Sequence, residues 1–148
     1  MPPVPGSGGE IPVPGVRPLD HTADVGIEVE AENLSELLRR AARGMTHLLL
    51  DAPPSSRTLE RSIRVSGDGP SGLLRNWLRE VLYYFDAEGL AFVDAIFSGL
   101  SEEGLEATLQ VGLPDRAPAR EIKGVTLHEL MAERRQDGSW YARVIFDV

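Results

Sequence analysis

The sequence predicts an α+β domain in which two amphipathic helices pack on a mostly antiparallel β-sheet, in the order β-α-β-α-β-β-β-β. Three observations carry that prediction. Two segments repeat apolar residues every three to four positions, the mark of a helix with one buried face. Several others alternate apolar with polar residues, the period of a half-buried strand. The alternating segments crowd into the C-terminal half with tight turns between them, which favours antiparallel pairing.

Taken in order, residues 1–16 are rich in Pro, Gly and Ser and are expected to form a disordered tail, leaving 17–148 as a single domain. Val25, Ile27 and Val29 alternate with Gly26, Glu28 and Glu30, so a first strand is expected to end near Ala31. Asn33 with Glu36 three residues later forms a capping-box pattern. Behind it Leu34, Leu37, Leu38, Ala41, Met45, Leu48 and Leu49 mark one face of a helix of about four turns, with Glu36, Arg39, Arg40 and Arg43 outside. Gly44 weakens that helix by roughly 1 kcal/mol relative to Ala, which points to close packing of another element there. Asp51-Ala52-Pro53-Pro54 ends it, because proline lacks the helix donor and disfavours helical geometry in the residue before it.

Arg61 to Val65 alternates as a short strand. Gly67 to Gly72 is a turn that offers Asp68 or Ser71 as the next N-cap. Leu73, Leu74, Trp77, Leu78, Val81, Leu82 and Phe85 define a second helix to about Asp86, and Gly89 supplies its left-handed C-cap. Leu90–Leu100 and Leu105–Val111 read as strands joined by the turn at Ser101-Glu102-Glu103-Gly104. After a proline-containing loop, Glu121 to Arg134 reads as one long strand or two bent pieces. Asp137-Gly138 is a hairpin signal, and Trp140 to Asp147 returns as the last strand.

Composition narrows the function classes. The chain has 148 residues, 42% apolar and 26% charged, which suits one soluble domain with a sizeable core. No apolar run approaches the roughly 20 residues of a membrane span, and the N-terminus has no secretory pattern, so a cytoplasmic protein is expected. The absence of cysteine removes disulfides, thiolate nucleophiles and thiolate metal ligands together. Fifteen basic residues against twenty-three acidic ones give a net charge of −8, with no basic tract longer than a pair. Direct grip on RNA or DNA needs a basic patch, so any role with nucleic acid is expected to run through a protein partner. An acidic surface suits docking onto a basic one.

The chemistry-bearing residues cluster at strand ends. Asp24 sits at the mouth of the first strand and Asp147 closes the last, and the two are expected to meet and form a small acidic site. Asp20, Asp24 and Asp147 offer hard carboxylate oxygens, and Val148 adds a carbonyl or terminal carboxylate; calcium and magnesium prefer such donors. Ordinary strand-end carboxylates would show the same spacing. His21 and His128 suit a general base or a ligand to a softer metal, but they are far apart and read first as structural histidines. His47, in the first helix, reads as surface. Nucleophilic catalysis lacks both a cysteine and a Gly-x-Ser-x-Gly elbow. The glycines before the second helix lack a P-loop lysine, since Lys123 is the only lysine in the chain.

Four blocks together resemble the archease family: Asp20-His21-Thr22-Ala23-Asp24-Val25-Gly26-Ile27, Leu78-Arg79-Glu80-Val81-Leu82-Tyr83-Tyr84, Ile122-Lys123-Gly124-Val125-Thr126-Leu127-His128, and Phe146-Asp147-Val148. The resemblance runs from about Leu19 to the end. It implies a protein that is not itself an enzyme but activates a GTP-dependent ligase of 3′-phosphate RNA ends in tRNA splicing and RNA repair, by promoting guanylylation and turnover. RNA is then met only indirectly. It also implies a divalent cation, calcium in most family members with magnesium or manganese as alternatives, held by Asp24, Asp147 and Val148. His21, Lys123 and His128 become candidates for the functional face. The family usually carries Ala and Tyr where this chain has Gly124 and Leu127, and a Gly-Glu with a following His where Leu113 follows Gly112. Two other classes of function remain for comparison: a metal-dependent phosphoester hydrolase using Asp24, Asp147 and His128, and a chaperone-like module for RNA-modifying enzymes.

Overall fold

In a computed structural model, the structure describes residues 10–19, 24–54 and 58–148. Their elements are β1 (Val16–Pro18), β2 (Val25–Ala31), α1 (Leu34–Leu50), β3 (Thr58–Ser66), α2 (Gly69–Glu88), β4 (Ala91–Leu100), β5 (Gly104–Gly112), β6 (Gly124–Val125), β7 (Met131–Arg134) and β8 (Trp140–Asp147). Two antiparallel sheets result. One runs β1-β2-β8-β6, with β7 also pairing β8; the other runs β3-β5-β4. The helices lie between them: α1 touches β2 and β4, and α2 touches β3, β4, β6 and β7. The expected α+β architecture with antiparallel strands is what the chain adopts.

Both helices form where the apolar spacing places them. In α1, Leu37, Leu38, Ala41 and Met45 are fully buried, and the Asn33 side chain accepts from the Glu36 N–H at 2.8 Å. The helix stops at Asp51, whose left-handed backbone lets its N–H return to the His47 carbonyl at 2.7 Å. Gly44 is the predicted close approach: a Cβ there would lie 2.9 Å from Val16 Cγ1 and 3.2 Å from Ile27 Cδ1. The glycine thus lets β1 and β2 sit directly on the helix. In α2, Trp77 is fully buried, donates from its indole N–H to the Leu38 carbonyl at 2.8 Å, and meets Phe92 edge-on with ring centroids 5.8 Å apart. One side chain therefore joins both helices to the second sheet.

Several expectations need correction. The expected tail through residue 16 is too long, because Ile11 and Val16 are buried in the core and β1 begins at Val16. Of the two forms expected for Glu121 to Arg134, the chain takes the two pieces, the short strands β6 and β7. Both lie along β8, with Gly124 opposite Asp147 and Ala132 opposite Ala142. The break follows from Glu129, whose φ of 52° is left-handed and cannot continue a strand. Helix α2 starts at Gly69, one turn earlier than the apolar spacing begins, because Pro70 is well suited to a first helical turn. Asp68 occupies the N-cap position without a side-chain capping bond, and Ser71 instead accepts from the Ala132 N–H at 2.9 Å. Arg39 and Arg43 are not simply outward: their Nε groups donate to the Ala95 and Val93 carbonyls on the edge of β4, at 3.2 and 3.4 Å. Finally, His47 is half-buried, 3.8 Å from Asp51, and lines an apolar cleft of about 520 Å³ with Pro12, Pro53 and Phe92.

Candidate functional site

The antiparallel register of β2 and β8 builds the site. Val25 pairs with Phe146, so Asp24 and Asp147 stand one step further along, across from each other at the strand ends. On the other side of β8, Gly124 of β6 pairs with Asp147, and the Lys123 N–H donates to the Asp147 carbonyl at 2.6 Å. Asp147 is thereby held through its backbone on the β6 side while its side chain stays exposed. Because residues opposite each other share a face, Asp24, Asp147 and Gly124 lie on the same side of the sheet.

Asp24 and Asp147 line one pocket of about 390 Å³ together with Val25, Thr126, His128, Ile145, Phe146 and Val148. Two carboxylates, an imidazole, a residue bearing a hydroxyl and Val148 thus come together, from segments more than a hundred residues apart. The predicted meeting of Asp24 and Asp147 in one site is a feature of the fold, and Val148 and His128 belong to it. Lys123 is held at the same strand end by its backbone, although its side chain is not among the lining groups. His21 and Asp20 lie outside the described residues. Gly124, the position where the resemblance leads one to expect alanine, borders open space: a Cβ there would meet no atom within 4 Å. An alanine there would meet no obstacle, so the departure leaves the strand unaltered.

The wall carrying His128 is a short excursion between β6 and β7. It leaves β6 with the Thr126 N–H bonded to the Ile145 carbonyl at 3.0 Å and closes with Leu130 N–H to the Leu127 carbonyl at 3.3 Å. Glu129 at its tip reaches Arg143 at 3.5 Å and His128 at 3.5 Å. Arg143 in turn lies 3.8 Å from Glu28, which accepts from the Tyr141 hydroxyl at 3.1 Å. Burial pushes the Tyr141 phenol above its ordinary range, so it stays a neutral donor to Glu28. The result is a supported loop that presents Leu127, 71% exposed, and His128 at the pocket rim.

Gly26, just below the site, shows why the opening block has its glycine. A Cβ there would sit 2.6 Å from the Val144 carbonyl oxygen and 2.7 Å from Leu19 Cδ1. Gly26→Ala is expected to cost about 1–3 kcal/mol through forced displacement of β8. Urea denaturation measures this, and an unchanged midpoint would contradict the packing described.

The donor set fits a hard cation. Asp24 and Asp147 supply charged oxygens, Val148 supplies main-chain oxygen, and Thr126 Oγ1 is a sealed hydroxyl with no hydrogen-bond partner among the described residues. Among the described residues no group of three or more His, Cys, Asp or Glu side chains forms a metal cage, so a cation here would rely on main-chain and hydroxyl oxygens as well as the two carboxylates. Spacing alone could not have singled out Thr126; its place in the pocket depends on where β6 lies against β8. The glycine-rich turn before α2 is closely packed, since a Cβ at Gly67 would lie within 2.8 Å of the Gly72 and Leu73 backbone. Among the described residues no helix is long and apolar enough to cross a membrane.

Comparison with known proteins agrees with this arrangement. Residues 17–148 match the model of the Archease protein family. Protein archease of Pyrococcus furiosus is 30% identical over 135 residues, covering 87% of this chain and 95% of its own. Protein archease of Methanopyrus kandleri is 32% identical over 136 residues, covering 88% and 96%. Among solved structures, protein 1598 of Methanobacterium thermoautotrophicum superposes with a TM-score of 0.71 at 26% identity, covering 90% of this chain and 99% of that one. The fold is also that of a Thermotoga maritima protein described as an archease and possible chaperone, with a TM-score of 0.61 at 21% identity and coverage of 89% and 96%. With a family match over residues 17–148, the chain belongs to the archease family.

Proposed function

We propose that this protein activates a GTP-dependent RNA ligase that joins 3′-phosphate ends, promoting guanylylation of the ligase and its repeated turnover. The observation that carries the proposal is the convergence of Asp24 and Asp147, with His128 and Val148, in one exposed acidic pocket of an archease fold. A ligase that binds GTP and RNA needs a basic, phosphate-binding active site. A partner with a net charge of −8 is drawn to such a surface, and its acidic pocket orients the approach. Docking is thus a protein–protein event, with RNA met only through the ligase.

A divalent cation bound here, calcium by family resemblance or else magnesium or manganese, would be held by Asp24, Asp147 and Val148 and would supply positive charge for nucleotide phosphates. The two aspartates provide the binding charge. Glu129, paired with Arg143, lies 3.5 Å from His128 and supports it at the rim. None of this requires the protein to turn over a substrate by itself, and the place of action is the cytoplasm.

Ligation of a 3′-phosphate RNA by the ligase of the same organism, at substrate well above ligase, tests the proposal. Added protein is expected to raise the number of turnovers per ligase. Unchanged ligation overturns the proposal. Phosphoester hydrolysis by the isolated protein would replace it with the hydrolase reading, and a more heat-stable ligase without faster ligation would replace it with the chaperone reading.

A further inference from the structure

We infer that the Thr126 hydroxyl is a third side-chain oxygen of the cation site, in contact with a divalent cation held by Asp24 and Asp147 or with its bound water. The inference rests on the cation-binding part of the proposed function.

Thr126 Oγ1 is sealed from solvent, yet it has no hydrogen-bond partner among the described residues. Folded proteins rarely leave a buried hydroxyl in that state, because its desolvation is then uncompensated. The surroundings explain why no neighbouring side chain relieves it. Gly124, on the same face, has no side chain; Leu127 points outward; and His128 is directed to Glu129 at 3.5 Å. What Thr126 shares its pocket with is Asp24 and Asp147. Its main-chain bond to Ile145 and the Gly124–Asp147 pairing fix it two residues from the strand end, on the face that carries both aspartates. A hydroxyl is a neutral hard oxygen that can face a cation directly or accept from a cation-bound water, so it adds a donor without adding repulsion to the two carboxylates. One competing role exists. Arg143 Nε is the other sealed polar atom without a partner among the described residues, and a water bridging it to Thr126 would be purely structural.

Calcium titration by calorimetry on the full chain separates these roles, comparing wild type with Thr126→Val and Thr126→Ser, alongside thermal melting without calcium. Valine preserves the shape and removes the oxygen. The expected result is calcium affinity weakened about five- to tenfold in Thr126→Val and kept within about twofold in Thr126→Ser. The calcium-free Thr126→Val protein should melt at or above wild type, since it loses an unsatisfied group. Wild-type affinity in Thr126→Val overturns the inference, and a lowered melting temperature with that affinity assigns the hydroxyl to a structural water instead. A wild-type protein that takes up no calcium, magnesium or manganese overturns the cation site itself, and the inference with it.

Discussion

Replacing Asp24 by alanine is expected to remove stimulation of ligation while leaving the fold intact. Asp24 is an exposed residue that precedes β2, so the core keeps its packing without the carboxylate. What is lost is one of the two charges lining the pocket. If those charges act together, removing either should cost the larger part of the effect, about tenfold or more, equivalent to at least roughly 1.4 kcal/mol. Asp147→Ala should behave alike, because Asp147 holds its place through its main-chain bond from Lys123 rather than through its side chain. Multiple-turnover ligation checks both variants, with circular dichroism to verify folding. Full stimulation by a folded Asp24→Ala protein would remove the acidic pocket from the mechanism.

The largest effect on stability is expected from Trp77→Ala. The indole is fully buried, bonds to the Leu38 carbonyl at 2.8 Å, and packs against Phe92 and Phe97 with centroids 5.8 and 5.4 Å away. Truncation leaves a cavity where α1, α2 and the second sheet meet, and such changes typically cost about 3–5 kcal/mol. That is a large part of the roughly 5–15 kcal/mol that holds a domain together. Trp77→Phe should lose less, since it keeps a ring in the cavity and gives up mainly the indole bond. Urea unfolding measures both, and a loss below about 1 kcal/mol for the alanine variant would mean that the layers do not meet on this side chain.

How far the fold could be read from the sequence depended on the range of the forces involved. The helices were legible because Leu34 to Leu49 and Leu73 to Phe85 repeat at the period of a buried helical face. The meeting of Asp24 and Asp147 was legible because Asp24 opens one alternating run and Asp147 closes another, and antiparallel pairing brings the start of one strand to the end of another. Strand β1 was hidden because Val16-Arg17-Pro18 is short and follows prolines and glycines that read as tail; its pairing with β2 and its burial against Gly44 give it structure. The division between β6 and β7 depends on the left-handed backbone of Glu129, which a glutamate does not announce. Arg39 and Arg43 read as outward because nothing local reveals that the carbonyls of β4, about fifty residues away, lie within reach. Thr126 was unmarked for the same reason: its hydroxyl acquires meaning only from the strand beside it.

The most direct test of the central claim is the covalent step itself. Purified ligase would be incubated with labelled GTP and divalent metal, and the guanylate attached to it followed with time, with wild-type protein, with Asp24→Ala, or with neither. Faster and more complete guanylylation with wild type alone is the expected result. Equal labelling in all three reactions would contradict the account, because the acidic pocket would then have no part in loading the ligase.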